Sequence, residues 1–252
     1  MGEGVAKEAG PAGTGLTVHR VWWAAGAGVV AWTAYAWGAQ CTLPAVAWRR
    51  GPRGRRRVAL TFDDGPDPEA TPRLLRLLAA RDIRATFFLI GERAARYPDV
   101  TRAIADAGHE VGNHTWRHRN AWLLTPATAS REITVGARIL GDILGQAPRL
   151  FRPPWGIVNA ASLATVRRLG LVTVLWSIQH EGLRPRTPAA QLRHVSDHLH
   201  DGAIIDLHDA PGLPGAPDRL LATMPALLDA IEHRDYTAVP VGELLELSSS
   251  PG

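Results

Sequence analysis

The chain has 252 residues, 46% hydrophobic and 21% charged, with 19 prolines and 25 glycines; it has the length and turn content of one main globular domain, and its composition excludes a disordered or collagen-like chain. The net charge of +4 is concentrated in residues 1–57, which hold eight basic and two acidic side chains, while the remainder holds 20 basic and 22 acidic. A folded domain of that balance has no electrostatic footprint for a phosphate backbone, which excludes nucleic acid as a partner; with Cys41 the only cysteine, it also forms no internal disulfide.

In chain order, the glycine- and alanine-rich residues 1–20 are expected to form a disordered tail. The next 28 residues, 21–48, carry no charge and open with VWWAAGAGVVAWTAYAWG. That run predicts a single transmembrane anchor with Trp22 and Trp23 at one interface and Trp37 and Trp48 at the other. The alternative is a signal segment cleaved near Ala34-Tyr35-Ala36; Gln40 before Cys41 does not suit a lipoprotein cleavage site. Residues 49–57, a linker with six arginines, favour a cytoplasmic side for the domain C-terminal to them, whereas a cell-wall substrate requires the opposite side. The side of the membrane stays open.

From Val58 to Glu246, short β-rich runs alternate with helical stretches, the rhythm of a parallel α/β domain; residues 247–252 read as a tail. Seven strands are predicted: Val58–Phe62, Ala85–Ile90, Glu110–Asn113, Arg149–Arg152, Leu171–Ser177, Ala203–Leu207 and Tyr236–Val239. Thr71-Pro72, Thr125-Pro126 and Thr187-Pro188 each predict a helix start, with threonine as the cap and proline in the first turn. Glycines 108, 145, 170 and 202 mark helix ends.

Residues able to do chemistry fall at the ends of these strands: Asp63 and Asp64, His114, Arg152 and His208. In a barrel such ends share one face. His114 and His118 stand four apart, so one helical turn would present both rings to one point. Together with one carboxylate of the Asp63-Asp64 pair they make a two-histidine, one-carboxylate set with room for water and substrate. The other carboxylate is then free to take a proton. Phe62, Phe87, Phe88 and Trp176 read as core residues.

Thr61-Phe62-Asp63-Asp64-Gly65, His114-Thr115-Trp116-Arg117-His118, Arg152-Pro153-Pro154-Trp155-Gly156 and Leu207-His208-Asp209 resemble the ordered motifs of the polysaccharide deacetylase family, the NodB-homology or carbohydrate esterase family 4 domain. The resemblance implies a distorted seven-stranded (β/α) barrel and metal-dependent removal of N-acyl groups, expected to be acetyl, from an amino-sugar glycan. It implies Asp64, His114 and His118 as ligands of one divalent metal, with zinc expected and cobalt or nickel as alternatives. By the same resemblance Asp63 is the general base, His208 the general acid, Arg152 the residue that aims the base, and the backbone N–H of Trp155 a donor to the acyl oxygen, with Pro153 expected beside it in the oxyanion and substrate set.

Two motifs depart from the family pattern. Where the family has two aspartates and a tryptophan, this chain has Gln179, Gly182 and Leu183, and Asp206 replaces a leucine two residues before His208. Arg152 therefore lacks its usual acidic partner. Glu181 is expected to replace it, with Asp206 as the alternative, and Asp206 and Leu183 are expected to shape the acyl pocket. Other readings are a deacylase or deformylase of a lipid-linked amino sugar at the membrane, and an inactive carbohydrate-binding domain.

Overall fold

The computed structural model describes residues 14–180, 187–212 and 215–247, with side chains from Arg20 onward. The chain starts as α1 (Thr14–Thr33), a π-helical turn (Ala34–Gly38) and α2 (Ala39–Val46), and runs into β1 (Ala47–Trp48). Next come β2 (Arg57–Asp63), α3 (Ala70–Ala79), β3 (Thr86–Leu89), α4 (Gly91–Arg96), α5 (Pro98–Asp106) and β4 (Glu110–Asn113). After a short 3-10 turn at Ala121–Leu123 come α6 (Pro126–Leu144), β5 (Leu150–Phe151), α7 (Ala160–Arg168), β6 (Val172–Val174) and β7 (Ile178–Gln179). The last elements are α8 (Pro188–His198), β8 (Ile204–His208), α9 (Ala216–Glu232), β9 (Thr237–Ala238) and α10 (Val241–Leu244).

The sheet runs β1-β6-β5-β4-β3-β2-β8-β7, with β9 beside β2, and every pairing between named strands is parallel. Parallel neighbours need crossovers, and the helices supply them on the outside. The result is a curled half-barrel. All seven predicted strands are present; β1 and β7 are additional, and the expected seven-stranded barrel is corrected to this nine-stranded half-barrel.

Period-two alternation along the strands sorts their side chains. Val58, Leu60 and Phe62 of β2, and Ile205 and Leu207 of β8, pack outward with Leu74, Leu220 and Leu227 of the covering helices. Their neighbours Ala59 and Ile204 point inward with Phe88 and Leu150. The inward series then turns polar: Thr61, Asp206 and Arg152 come next, and Asp63 and His208 end it at the C-terminal strand ends.

The expected transmembrane anchor over 21–48 is not found. Among the described residues no helix is long and apolar enough to cross a membrane. From Tyr35 onward the segment is instead committed to the domain. Leu43 is fully buried and Ala39 nearly so, packing with Val158 and Leu175, and Ala47 and Trp48 pair with Thr173 and Val174. The stretch before it, Val21–Thr33, falls short of the roughly 20 residues a span requires. The tail expected to be disordered to residue 20 is helical from Thr14; residues 1–13 and 248–252 lie outside the described residues.

Thr125 and Thr187 cap α6 and α8 as predicted, accepting from Thr128 and Ala190 N–H. Thr71 does not cap α3. Asp67 Oδ1 accepts from the Glu69 and Ala70 N–H groups there, which frees the Thr71 hydroxyl for the buried Asp209. Glycines 108, 145, 170 and 202 all have the positive φ of a helix or turn stop.

Candidate active site

The polar ends of β2, β4, β5 and β8 open into a cleft of 740 Å³. Arg152 lies at its base with no solvent exposure. Its Nη1 donates to Thr61 Oγ1 at 2.7 Å, Asp63 Oδ1 at 2.8 Å and Asp206 Oδ1 at 3.3 Å, and its Nη2 donates to Leu175 O at 3.1 Å. The guanidinium carbon sits 4.2 Å from the centre of the Phe88 ring. A buried guanidinium is stable only when paired and hydrogen-bonded, and here two carboxylates share it. Asp206 thus supplies an acidic partner to Arg152. Glu181, the expected partner, and Leu183 lie outside the described residues. Burial, reinforced by Asp63 nearby, pushes the Asp206 carboxyl up to about 7.

The metal-ligand candidates meet on the opposite wall. Asp64 leaves β2 with φ 71°, turning its carboxylate away from that of Asp63. The segment after β4 is not the expected helical turn: Thr115 and His118 both adopt left-handed backbone, φ 68° and 53°, and this loop brings the His114 and His118 rings to 5.0 Å. Asn113 Oδ1 accepts from Thr115 N–H, Thr115 Oγ1 accepts from His118 N–H, and Thr115 O accepts from Gly91 N–H. Such backbone persists only when its surroundings fix it.

His118 Nε2 is 3.1 Å and His114 Nε2 3.5 Å from Asp64 Oδ1, a buried oxygen with no hydrogen-bond donor. His114 Nδ1 faces the Arg152 carbonyl oxygen at 2.7 Å, so the proton on Nδ1 leaves the Nε2 lone pair pointing at Asp64. Burial lowers the His114 pKa to about 3 and also lowers that of His118, so both rings are neutral at physiological pH. Lone pairs of two neutral imidazoles converging on an orphaned carboxylate oxygen fit a divalent cation and little else. These three residues form one cluster that could hold a metal; Asp63, Asp206 and His208 form a second.

Trp155 stands at the cleft mouth, 57% exposed, with φ 53°, its ring edge-on to His118 at 4.3 Å. Pro153, expected in the oxyanion and substrate set, is buried behind this loop and does not line the cleft. Trp176, expected in the core, is a half-buried wall of the cleft with Gln179. Sequence reasoning also missed Gly212. A Cβ there would fall 2.1 Å from Asp64 Oδ2, so the loop after β8 seats its backbone directly on the candidate ligand.

These features belong to a hydrolase acting on amide carbon–nitrogen bonds. Residues 50–174 match the polysaccharide deacetylase family. Two peptidoglycan-N-acetylglucosamine deacetylases of Bacillus cereus are each 35% identical, one over 70% of this chain and 65% of its own length, the other over 77% and 90%. A chitooligosaccharide deacetylase of Bradyrhizobium sp. is 34% identical over 76% of this chain and 91% of its own. Among solved structures, a peptidoglycan N-acetylglucosamine deacetylase superposes with TM-score 0.77 at 27% identity, covering 83% of this chain and 98% of that one. A family 4 carbohydrate esterase from Streptomyces lividans gives 0.65 at 32% identity over 72% and 91%. The chain belongs to the polysaccharide deacetylase family.

Proposed function

We propose that this protein is a metal-dependent N-deacetylase of amino-sugar glycans carrying N-acetylglucosamine. The observation that carries the reading is the division of the Asp63 carboxylate. Oδ1 is held by Arg152 at 2.8 Å, while Oδ2 turns toward the candidate ligands, 3.8 Å from His114 Nε2. A base held by one oxygen keeps the other aimed. A divalent cation on Asp64, His114 and His118, for which zinc fits the donors with cobalt or nickel as alternatives, supplies positive charge that polarises the acyl oxygen and acidifies water.

Asp63 takes a proton from water as the water oxygen bonds to the acyl carbon, and the Trp155 N–H, turned by its left-handed backbone, supports the acyl oxygen. His208 gives a proton to the amine nitrogen as the carbon–nitrogen bond breaks. Acetate and a free amino sugar leave. Asp63 and His208 both being in place favours an enzyme over an inactive binding domain. The test is acetate release from N-acetylated chitooligosaccharides and peptidoglycan by the purified chain, before and after chelation. Release that chelator leaves unchanged would refute the metal-dependent reading.

A second reading, deacylation of a lipid-linked amino sugar at a membrane surface, is favoured by Trp22, Trp23, Val29 and Val30, which α1 leaves at least 67% exposed. Preference for a lipid-linked over a soluble acetylated substrate, with the chain pelleting with membranes, would select it.

A further inference from the structure

The N-terminal segment bonds the backbone of the Trp155 loop through the side chain of Gln40. Gln40, in the uncharged run 21–48, donates from Nε2 to Gly156 O at 2.8 Å and accepts at Oε1 from Val158 N–H at 3.0 Å. The amide thus grips the loop from both sides, as a neighbouring strand would. The turn's own bonds, Gly156 N–H to Pro153 O and Ile157 N–H to Pro154 O, are local. They set its shape but not its place. Place comes from outside: Leu43, one helical turn beyond Gln40, packs with Val158 and Leu175, and the Tyr35 hydroxyl donates to Leu124 O at 3.2 Å on the adjoining loop. The π-helical turn at Ala34–Gly38 lies between α1 and this contact. Such turns re-phase a helix and recur at functional positions.

We infer that Gln40 is a positioning residue, holding the 155–158 loop so that the strained Trp155 backbone presents its N–H at the acyl carbon's oxygen. Segment 34–46 is then part of the catalytic unit rather than a leader to it. Trp155 sits at φ 53°, a region that L-residues occupy only where surroundings fix them. The loop lies one residue beyond the Arg152-Pro153-Pro154 run that aims Asp63, so an error in its placement enters the acyl-oxygen geometry directly. This role rests on the deacetylase reading of the site, because the N–H has a task only if an acyl oxygen arrives there.

Gln40→Met keeps the length of the side chain and removes both hydrogen bonds. Gln40→Glu keeps an acceptor for Val158 N–H but sets a carboxylate against Gly156 O. In the full chain, Gln40→Met should lower kcat roughly 10- to 100-fold, the scale of a misplaced oxyanion donor. KM should stay within about twofold, and metal content and melting midpoint should hold. Amide exchange at Val158 should accelerate in Gln40→Met but stay slow in Gln40→Glu, whose kcat should fall between Gln40→Met and wild type. Faster exchange with unchanged kcat would overturn the positioning role. So would loss of metal or of melting midpoint in both variants in proportion to the lost activity, because that marks a purely structural contact. If the wild-type chain releases no acetate, the deacetylase reading fails and takes the positioning role with it, while the exchange rates still decide whether Gln40 holds the loop.

Discussion

The two walls of the cleft are built by different means. On one, Thr61, Asp63, Arg152 and Asp206 stand on or directly beside strand ends, and parallel pairing of β2 with β8 sets Thr61 opposite Asp206. On the other, Asp64 and His118 sit in left-handed backbone, with Thr115 between the two histidines. The first wall is a product of the sheet once the strands pair, because inward-facing residues two apart must stack. The second depends on packing to hold conformations that cost on the order of 1–3 kcal/mol each: a Cβ on Gly136 would meet Thr115 C at 2.8 Å, and one on Gly91 would meet the Trp116 ring at 3.0 Å. The strand wall should therefore be ordered without metal, and the loop wall should draw stability from it.

The most damaging change to that contrast is Arg152→Met. It leaves Asp63 and Asp206 buried without their shared cation, which costs about 3–5 kcal/mol and removes turnover. Urea unfolding in the presence of chelator should show the whole loss. His118→Ala, on the loop wall, should lose metal yet change the stability of the chelated protein little. Equal destabilisation by the two would break the distinction.

Next in size is the pair of aspartates. Asp63→Asn should keep the metal and lose turnover by roughly 10²–10⁴-fold, whereas Asp64→Asn should lose both. Metal analysis of the purified variants separates the roles, and metal loss with Asp63→Asn alone would reverse them.

A smaller effect should come from Gly212→Ala. Its Cβ would occupy space now held by Asp64 Oδ2, so the carboxylate must turn and metal affinity should fall by about 10- to 100-fold, the cost of disturbing a ligand's support. Unfolding of the chelated protein should move by less than about 1 kcal/mol, since a surface loop can shift. Unchanged metal affinity would mean that Asp64 has room to spare.

Legibility in the sequence divides along the same line. The strand ends are legible because β-branched and aromatic runs mark β2, β3 and β8, and the motif residues fall where those runs stop. Strand parity reaches further: Asp206 is two residues before His208 on one strand, so both must face inward, which places Asp206 beside Arg152 without appeal to Glu181. The loop wall is hidden from the sequence for a physical reason. A spacing of four fits a helix, but nothing in the His114–His118 run announces that Thr115 and His118 turn left-handed. The segment 21–48 misleads because hydropathy does not distinguish lipid from a protein interior; Gln40 and Pro44 within it are the available signs of a folded environment. Strands as short as Ala47–Trp48 carry no periodicity at all.

The smallest effect on catalysis is expected at Asp209, which belongs to neither wall. Its carboxylate is fully buried. One oxygen accepts from the Thr71 hydroxyl, the other has no hydrogen-bond partner, and a Cβ on Gly65 would lie 2.6 Å from Oδ1. Burial pushes its pKa up to about 7, with the Thr71 hydrogen bond opposing. The native protein therefore holds this proton over a range, from about pH 4 to 7, in which the unfolded chain has released it. Stability from this group is full below about pH 4 and declines as pH rises toward 7, by at most roughly 1.4 kcal/mol per pH unit. Asn is neutral throughout and keeps an oxygen for Thr71. Asp209→Asn should thus match wild type near pH 4 and grow more stable than wild type up to pH 7, with the difference constant above it and kcat changed less than about twofold. Urea midpoints of both proteins in chelator at pH 4.5, 6 and 8 measure this directly. A difference independent of pH would mean that Asp209 ionises in the folded protein as readily as in the unfolded chain, with Thr71 and its neighbours offsetting its burial.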